Sequence, residues 1–156
     1  MQAVTVAVDR DLDQLIQRTV QRGLFDANVH STGDGRFGSL VVAARDLTST
    51  VIGGVIGEAY WGWVNFTTVW VDLVHRRKGL ASRMLIAAEA EAVRMGYTQA
   101  YLDTFSFQSP SLYLRSGYEV FGQLEGFPEG STRLFMRKAL VVQGSGHPQT
   151  SEPRAE

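Results

Sequence analysis

Apolar and polar positions change period several times along the chain, and each change marks an element. AVTVAV (3–8) is β-branched and apolar and stops at Asp9, which predicts a first strand. In DRDLDQLIQRTVQRGLF, Leu12, Leu15, Ile16, Thr19 and Val20 recur at helical spacing, with aspartates in the first turn and Gly23 near the end. The glycine-rich HSTGDGRFGS (30–39) predicts a loop. LVVAAR and TVIGGVIGEAYW, joined by DLTST, predict a hairpin, and WVNFTTVWVDLV a third consecutive antiparallel strand. The pattern then becomes helical. Leu80, Met84, Leu85, Ala88, Ala92 and Met95 share one face, and Gly96 ends the run. QAYLDTFSF (99–107) is a strand, and SPSLYLRSG a short helix with Pro110 in its first turn and Gly117 as its stop. YEVFGQL and TRLFMRKAL predict two last strands.

The order β-α-βββ-α-β-α-ββ predicts one α/β (α+β) domain over residues 1–141, with a mixed, mostly antiparallel sheet and a right-handed crossover to a parallel strand. Residues 142–156 are rich in Gly, Ser, Pro and charge and read as a disordered tail. Composition narrows the chemistry. No cysteine is present, so disulfides, thiolate zinc sites and cysteine nucleophiles are excluded. His30, His75 and His147 lie at no metal-ligand spacing, and no metal is expected. The net charge of −1 argues against a general nucleic-acid or membrane binder. No secretory leader and no membrane-spanning run is visible, and a soluble, cytoplasmic protein is expected.

Against that balance, VHRRKGLASRML (74–85) gathers three cations at the mouth of a helix. A helix N-terminus leaves backbone N–H groups without partners and carries partial positive charge. Gly79 lets a ligand approach the backbone, Ala81 is small, and Arg76, Arg77 and Lys78 add full charges. The stretch reads as a pyrophosphate cradle or as a solvated basic turn. It is neither a Walker A loop nor a dinucleotide fingerprint.

RRKGLA (76–81), with TTVWVD before it, an amphipathic helix after it, and AYLDTFSFQSPSLYLRSGYEVFGQ downstream, resembles the GCN5-related N-acetyltransferase (GNAT) family over roughly residues 3–140. The resemblance implies acetyl-CoA as co-substrate and a central strand pair that splays apart. The strand carrying Trp70 and Val71 would offer backbone to pantetheine, and the loop Arg76, Arg77, Lys78, Gly79, Leu80 and Ala81 would hold the pyrophosphate. It makes Tyr113 the acid that protonates the departing thiolate, the alternative being a half-buried core tyrosine. Ser106 stands where relatives often carry an asparagine that contacts the cofactor. Ser109 and Ser111 are cofactor contacts or helix caps, capping being the favoured role.

Attack on a thioester needs a neutral amine and hence a base. Glu58 is a charge on an otherwise apolar strand and is the first candidate, with Asp72 and Asp103 as alternatives. Tyr60, Trp61 and Trp63 form an aromatic wall for an acceptor or simply pack, and His75 sits beside the loop. The expected activity is acetyl transfer to a primary amine of a small molecule or peptide. The alternative is a non-catalytic acyl-CoA-binding or regulatory domain on the same scaffold. The acceptor, the base and a homodimer stay open.

Overall fold

A computed structural model of the chain describes residues 4–8 and 14–140. These divide into an N-terminal unit ending at Arg36 and a larger unit from Phe37 onward. In the first unit, residues 4–8 form no strand, contrary to expectation. A strand exists by pairing its backbone, and β-branched residues supply only the propensity. Helix α1 spans Gln14–Thr32 and runs straight through Gly23, ending seven residues beyond Phe25, where the predicted helical stretch stops. An interior glycine costs about 1 kcal/mol but does not stop a helix whose flanks still favour it. Gly33, at φ 67°, supplies the stop. The expected aspartates of the first turn lie outside the described residues, as does the C-terminal tail.

The second unit is a sheet of six strands in the order β1-β2-β3-β4-β6-β5: β1 Phe37–Arg45, β2 Val51–Tyr60, β3 Trp63–Val71, β4 Gln99–Phe105, β5 Glu119–Glu125 and β6 Thr132–Ala139. All neighbours are antiparallel except β3 and β4. Helix α2, Leu80–Arg94, makes the crossover between these two, and α3, Pro110–Arg115, follows β4. The later strands and the last two helices lie close to where the periodicity predicts them, but of the loop expected over 30–39 only residues 33–36 lie outside α1 and β1, because the helix continues to Thr32 and β1 begins at Phe37.

Alternation fixes which face is buried. On β2, Val55, Gly57 and Ala59 are buried, and Ile56 and Glu58 are exposed on the opposite side. Met84, Leu85, Ala88 and Ala92 of α2 join Val55, Val64, Phe66, Leu102 and Met136 in one core. Fully burying each larger aliphatic chain contributes about 1.5–3 kcal/mol. Gly53 makes the close approach of α2 possible: a Cβ there would stand 2.9 Å from the Met84 Cε and 3.0 Å from the Trp70 carbonyl oxygen. Between β2 and β3 the chain turns on Trp61 and Gly62, at φ 48° and 84°, a two-residue turn suited to the twist of a hairpin.

The sheet is divided at its parallel pair. β3 and β4 pair only at Trp63–Gln99, Val64–Ala100 and Asn65–Tyr101. Beyond them the strands separate, as the splayed pair of the expected fold requires. The β2–β3 register explains why: Gly57 faces Phe66 but Ile56 faces Thr68, so Thr67 is an extra residue in β3. A bulge bends its strand, and this one bends β3 where its pairing with β4 ends.

Candidate active site

The open fork has a different chemistry on each arm. The β3 arm runs into a short 3₁₀ turn, Leu73–His75, and then into α2. Arg77 and Gly79 take left-handed conformations, φ 60° and 73°, and swing the chain round to the helix. The first amide of α2 to find a backbone acceptor is that of Arg83, which donates to the Gly79 carbonyl at 3.1 Å. The N–H groups from Arg77 through Ser82 have no acceptor among the described residues. A Cβ placed on Gly79 would meet nothing within 4 Å, so the space above that glycine is open. A pyrophosphate fits this arrangement: donors without partners, a helix N-terminus and no steric cover.

The cations serve the loop more than the sequence implies. Arg76 donates from Nε to the Val71 carbonyl at 3.0 Å, and Lys78 from Nζ to the Val74 carbonyl at 3.2 Å. They brace the turn that presents the amides, and of Trp70 and Val71 the latter already gives its carbonyl to Arg76. His75 Nδ1 and Asp72 Oδ2 lie 3.3 Å apart, which places Asp72 at the loop.

The β4 arm leads to α3. Gln108 organises the turn: its Oε1 accepts from the Phe105 amide at 3.1 Å and from the Thr104 hydroxyl at 3.0 Å. Nothing in the sequence singled out Gln108, whose role depends on two residues it meets only after the turn forms. Ser106 is tied to Thr132: its amide donates to the Thr132 carbonyl at 2.8 Å and its Oγ accepts from the Thr132 amide at 3.1 Å. Ser109 is the N-cap residue of α3, but its side chain makes no capping hydrogen bond, contrary to the role favoured from sequence. The backbone closes the turn instead, Leu112 donating to the Ser109 carbonyl at 2.9 Å.

Tyr113 sits on α3 with its ring buried and edge-on to Tyr118, centroids 6.1 Å apart. Burial, and next the Asp103 charge, hold its hydroxyl protonated above the usual tyrosine range. Asp103 in turn accepts from Arg133 Nε at 2.7 Å. The Arg133 guanidinium lies 5.4–5.5 Å from the ring centroids of Phe105, Phe127 and Phe135.

Glu58 lies on the sheet face opposite α2. It faces Ser39 on β1 and Asn65 on β3, and Asn65 faces Tyr101. This is the last cross-strand row before the fork opens. Glu58 has no hydrogen bond or ion pair among the described residues. Tyr60 and Tyr101 bring their hydroxyls to 3.0 Å. Burial, the Tyr60 hydroxyl and the nearby Glu58 charge keep Tyr101 protonated. Tyr101 was not singled out from sequence, although its alternation with buried Ala100 and Leu102 places it on this face.

The model of the acetyltransferase (GNAT) family matches residues 9–118. The chain belongs to the GNAT acetyltransferase family. A blasticidin-S acetyltransferase of Streptomyces morookaense is 35% identical over 89 residues, a stretch covering 56% of this chain and 65% of that relative. An acetyltransferase of Agrobacterium fabrum is 26% identical over 126 residues, 81% of this chain and 92% of its own. A crystal structure of a Bacillus cereus acetyltransferase superposes with a TM-score of 0.79 at 25% identity, covering 86% of this chain and 98% of that one. The GNAT fold accounts for the mixed sheet and its divided central pair. Among the described residues no group of three or more His, Cys, Asp or Glu could hold a metal, and no helix is long and apolar enough to cross a membrane.

Proposed function

We propose that the chain transfers an acetyl group from acetyl-CoA to a primary amine of a small molecule by direct attack in a ternary complex. The observation that carries this reading is the run of acceptor-free amides from Arg77 through Ser82 on one arm of the open β3–β4 fork. Those amides and the open face of Gly79 would hold the pyrophosphate, and unpaired backbone of the fork the pantetheine amides. Acetyl-CoA supplies an activated acyl carbon.

The chain's own residues do the remaining work. The Tyr113 hydroxyl holds its proton through the neutral range and delivers it from Oη to the departing sulfur. Glu58, without a hydrogen bond or ion pair among the described residues, receives the amine proton directly or through water. Positioning of amine and thioester supplies the larger share of the acceleration. The relative named for blasticidin-S supports a small-molecule acceptor over a protein chain.

A thiol-release assay with acetyl-CoA over an amine library tests the proposal, run beside calorimetry of CoA binding. Amine-dependent release is the expected result. Absence of CoA binding at millimolar concentration overturns it. Binding without release for any amine identifies the non-catalytic acyl-CoA domain instead.

A further inference from the structure

Three bands follow one another along the sheet face that carries Glu58. At the β2–β3 turn lies an aromatic band: Phe37 faces Tyr60, and Tyr60 faces Trp63. Phe37 and Tyr60 are stacked at 6.2 Å, and Trp63 meets Tyr101 edge-on at 6.1 Å. Next, two residues or about 6.8 Å further along the strands, comes the Glu58 row. Then the fork opens. Glu58 therefore stands between a half-buried aromatic surface and the gap where the proposed thioester would lie.

The charges on this face are few and mostly matched. Asp103 pairs with Arg133 at 2.7 Å, and Glu119 pairs with Arg137 at 2.8 Å. Arg137 lies in the Glu58 row, opposite Tyr101. Glu58 is thus the one carboxylate of the three without a cation, and two guanidiniums stand on the far side of the fork. Such an arrangement holds one ammonium at Glu58 and offers a second one further along only carboxylates that already have their cations. Aromatic faces beside a carboxylate favour the same ion, and they also bury a flat body.

From this arrangement we infer that the acceptor is a small amine with a single ammonium on a flat apolar body, its nitrogen taken by Glu58 and its body by Tyr60, Trp63 and Tyr101. The inference rests on the acetyltransferase reading for the acceptor's fate, but its binding content is separable. Polycations such as polyamines and aminoglycosides fit poorly, because Asp103 and Glu119, the other carboxylates of this set, are already taken by Arg133 and Arg137.

The test is calorimetric titration of the full chain, with and without CoA, using tyramine, ethanolamine and spermidine as probes. Tyramine should bind at least about tenfold more tightly than either of the others. Glu58→Gln should weaken tyramine about 10- to 100-fold, the loss of one charge-assisted hydrogen bond, while Glu58→Asp retains part of it. Glu58 is exposed, so both variants should keep the wild-type melting temperature, which is measured in parallel. Spermidine or ethanolamine binding as tightly as tyramine overturns the inference. So does tyramine affinity unchanged in folded Glu58→Gln, or no binding of tyramine in either state. Tyramine that binds as expected but is never acetylated leaves the inference standing and removes the acetyltransferase reading.

Discussion

Tyr60 and Tyr101, 41 positions apart in sequence, share a hydroxyl–hydroxyl hydrogen bond of 3.0 Å across the intervening strand β3. The bond ties Tyr60 of the aromatic band to Tyr101 in the last paired row before the fork. Tyr60→Phe should cost about 0.5–1.5 kcal/mol in urea denaturation, since one partner of a partly buried pair is lost. It should also bring Tyr101 back toward the ordinary tyrosine range, because the Tyr60 hydroxyl is one of the groups holding its proton. Ultraviolet titration of the phenolates reads that change. An unchanged titration would show that burial and the Glu58 charge set it without the Tyr60 hydroxyl.

Gly79 offers a second test. Its φ of 73° is strained for any side chain, although a Cβ would find open space there. Gly79→Ala should therefore cost about 1–2 kcal/mol of stability. If the space is where a pyrophosphate sits, CoA affinity should fall at least about tenfold, or about 1.4 kcal/mol. Gly62→Ala is the control, with a similar φ of 84°, open space and a place in the β2–β3 turn. It should lose comparable stability and keep CoA affinity. Equal losses of affinity in both variants would mean that strain, not the cradle, was measured.

Tyr113→Phe keeps the buried ring and removes the proton. Turnover should fall by roughly 10²–10⁴-fold, with CoA affinity nearly unchanged. Both kcat and kcat/KM should fall together, as for an interaction made only in the transition state.

The wild-type pH profile should carry the sign of the Tyr113 environment. Its proton is held above the ordinary value of 10.0 by burial first and Asp103 second. Activity depending on that proton should persist to pH values above about 10 before declining. Asp103→Asn removes one of the two causes and should move the alkaline decline to lower pH. For stability the sign is also fixed. Above about pH 10 the unfolded chain loses this proton while the folded chain keeps it, so stability falls as pH rises through that range.

On the other face, Lys138 Nζ and Glu89 Oε2 pair at 2.6 Å, both largely buried, with the ammonium 5.5 Å from the Tyr118 ring centroid. Lys138→Met should destabilise by about 3–5 kcal/mol, because Glu89 is left buried without its cation. Glu89→Leu with Lys138→Met should recover most of that loss. A double-mutant cycle in urea with no coupling would show that the pair is solvated enough to stand apart.

Much of the architecture was legible because alternation and helical period each specify one buried face. The strand Val51–Tyr60 alternates without exception around Val55, Gly57 and Ala59. The helix after Gly79 keeps its small and large apolar residues on one side. What failed was punctuation. Gly23 looks like a helix stop, but a stop needs the left-handed conformation that Gly33 adopts. AVTVAV carries strand propensity, yet residues 4–8 form no strand. At the candidate site the loop was legible as a motif, whereas the division of labour within it was not. Whether a cation meets a ligand or its own backbone depends on where Val71 and Val74 aim their carbonyls. The Thr67 bulge is equally hidden, since Thr suits a strand with or without an extra residue.

The three pairs that join β3 to β4 give the sheet the mechanics of a clothes-peg. Its jaws, β1–β3 and β4–β6, are each internally laced, and only a short seam and the core beneath α2 keep them together. A ligand lying between the jaws would act as a removable strut. The jaws' relative motion should then be damped together, so that amide exchange slows on Trp70 and Thr104 alike, although they belong to opposite jaws.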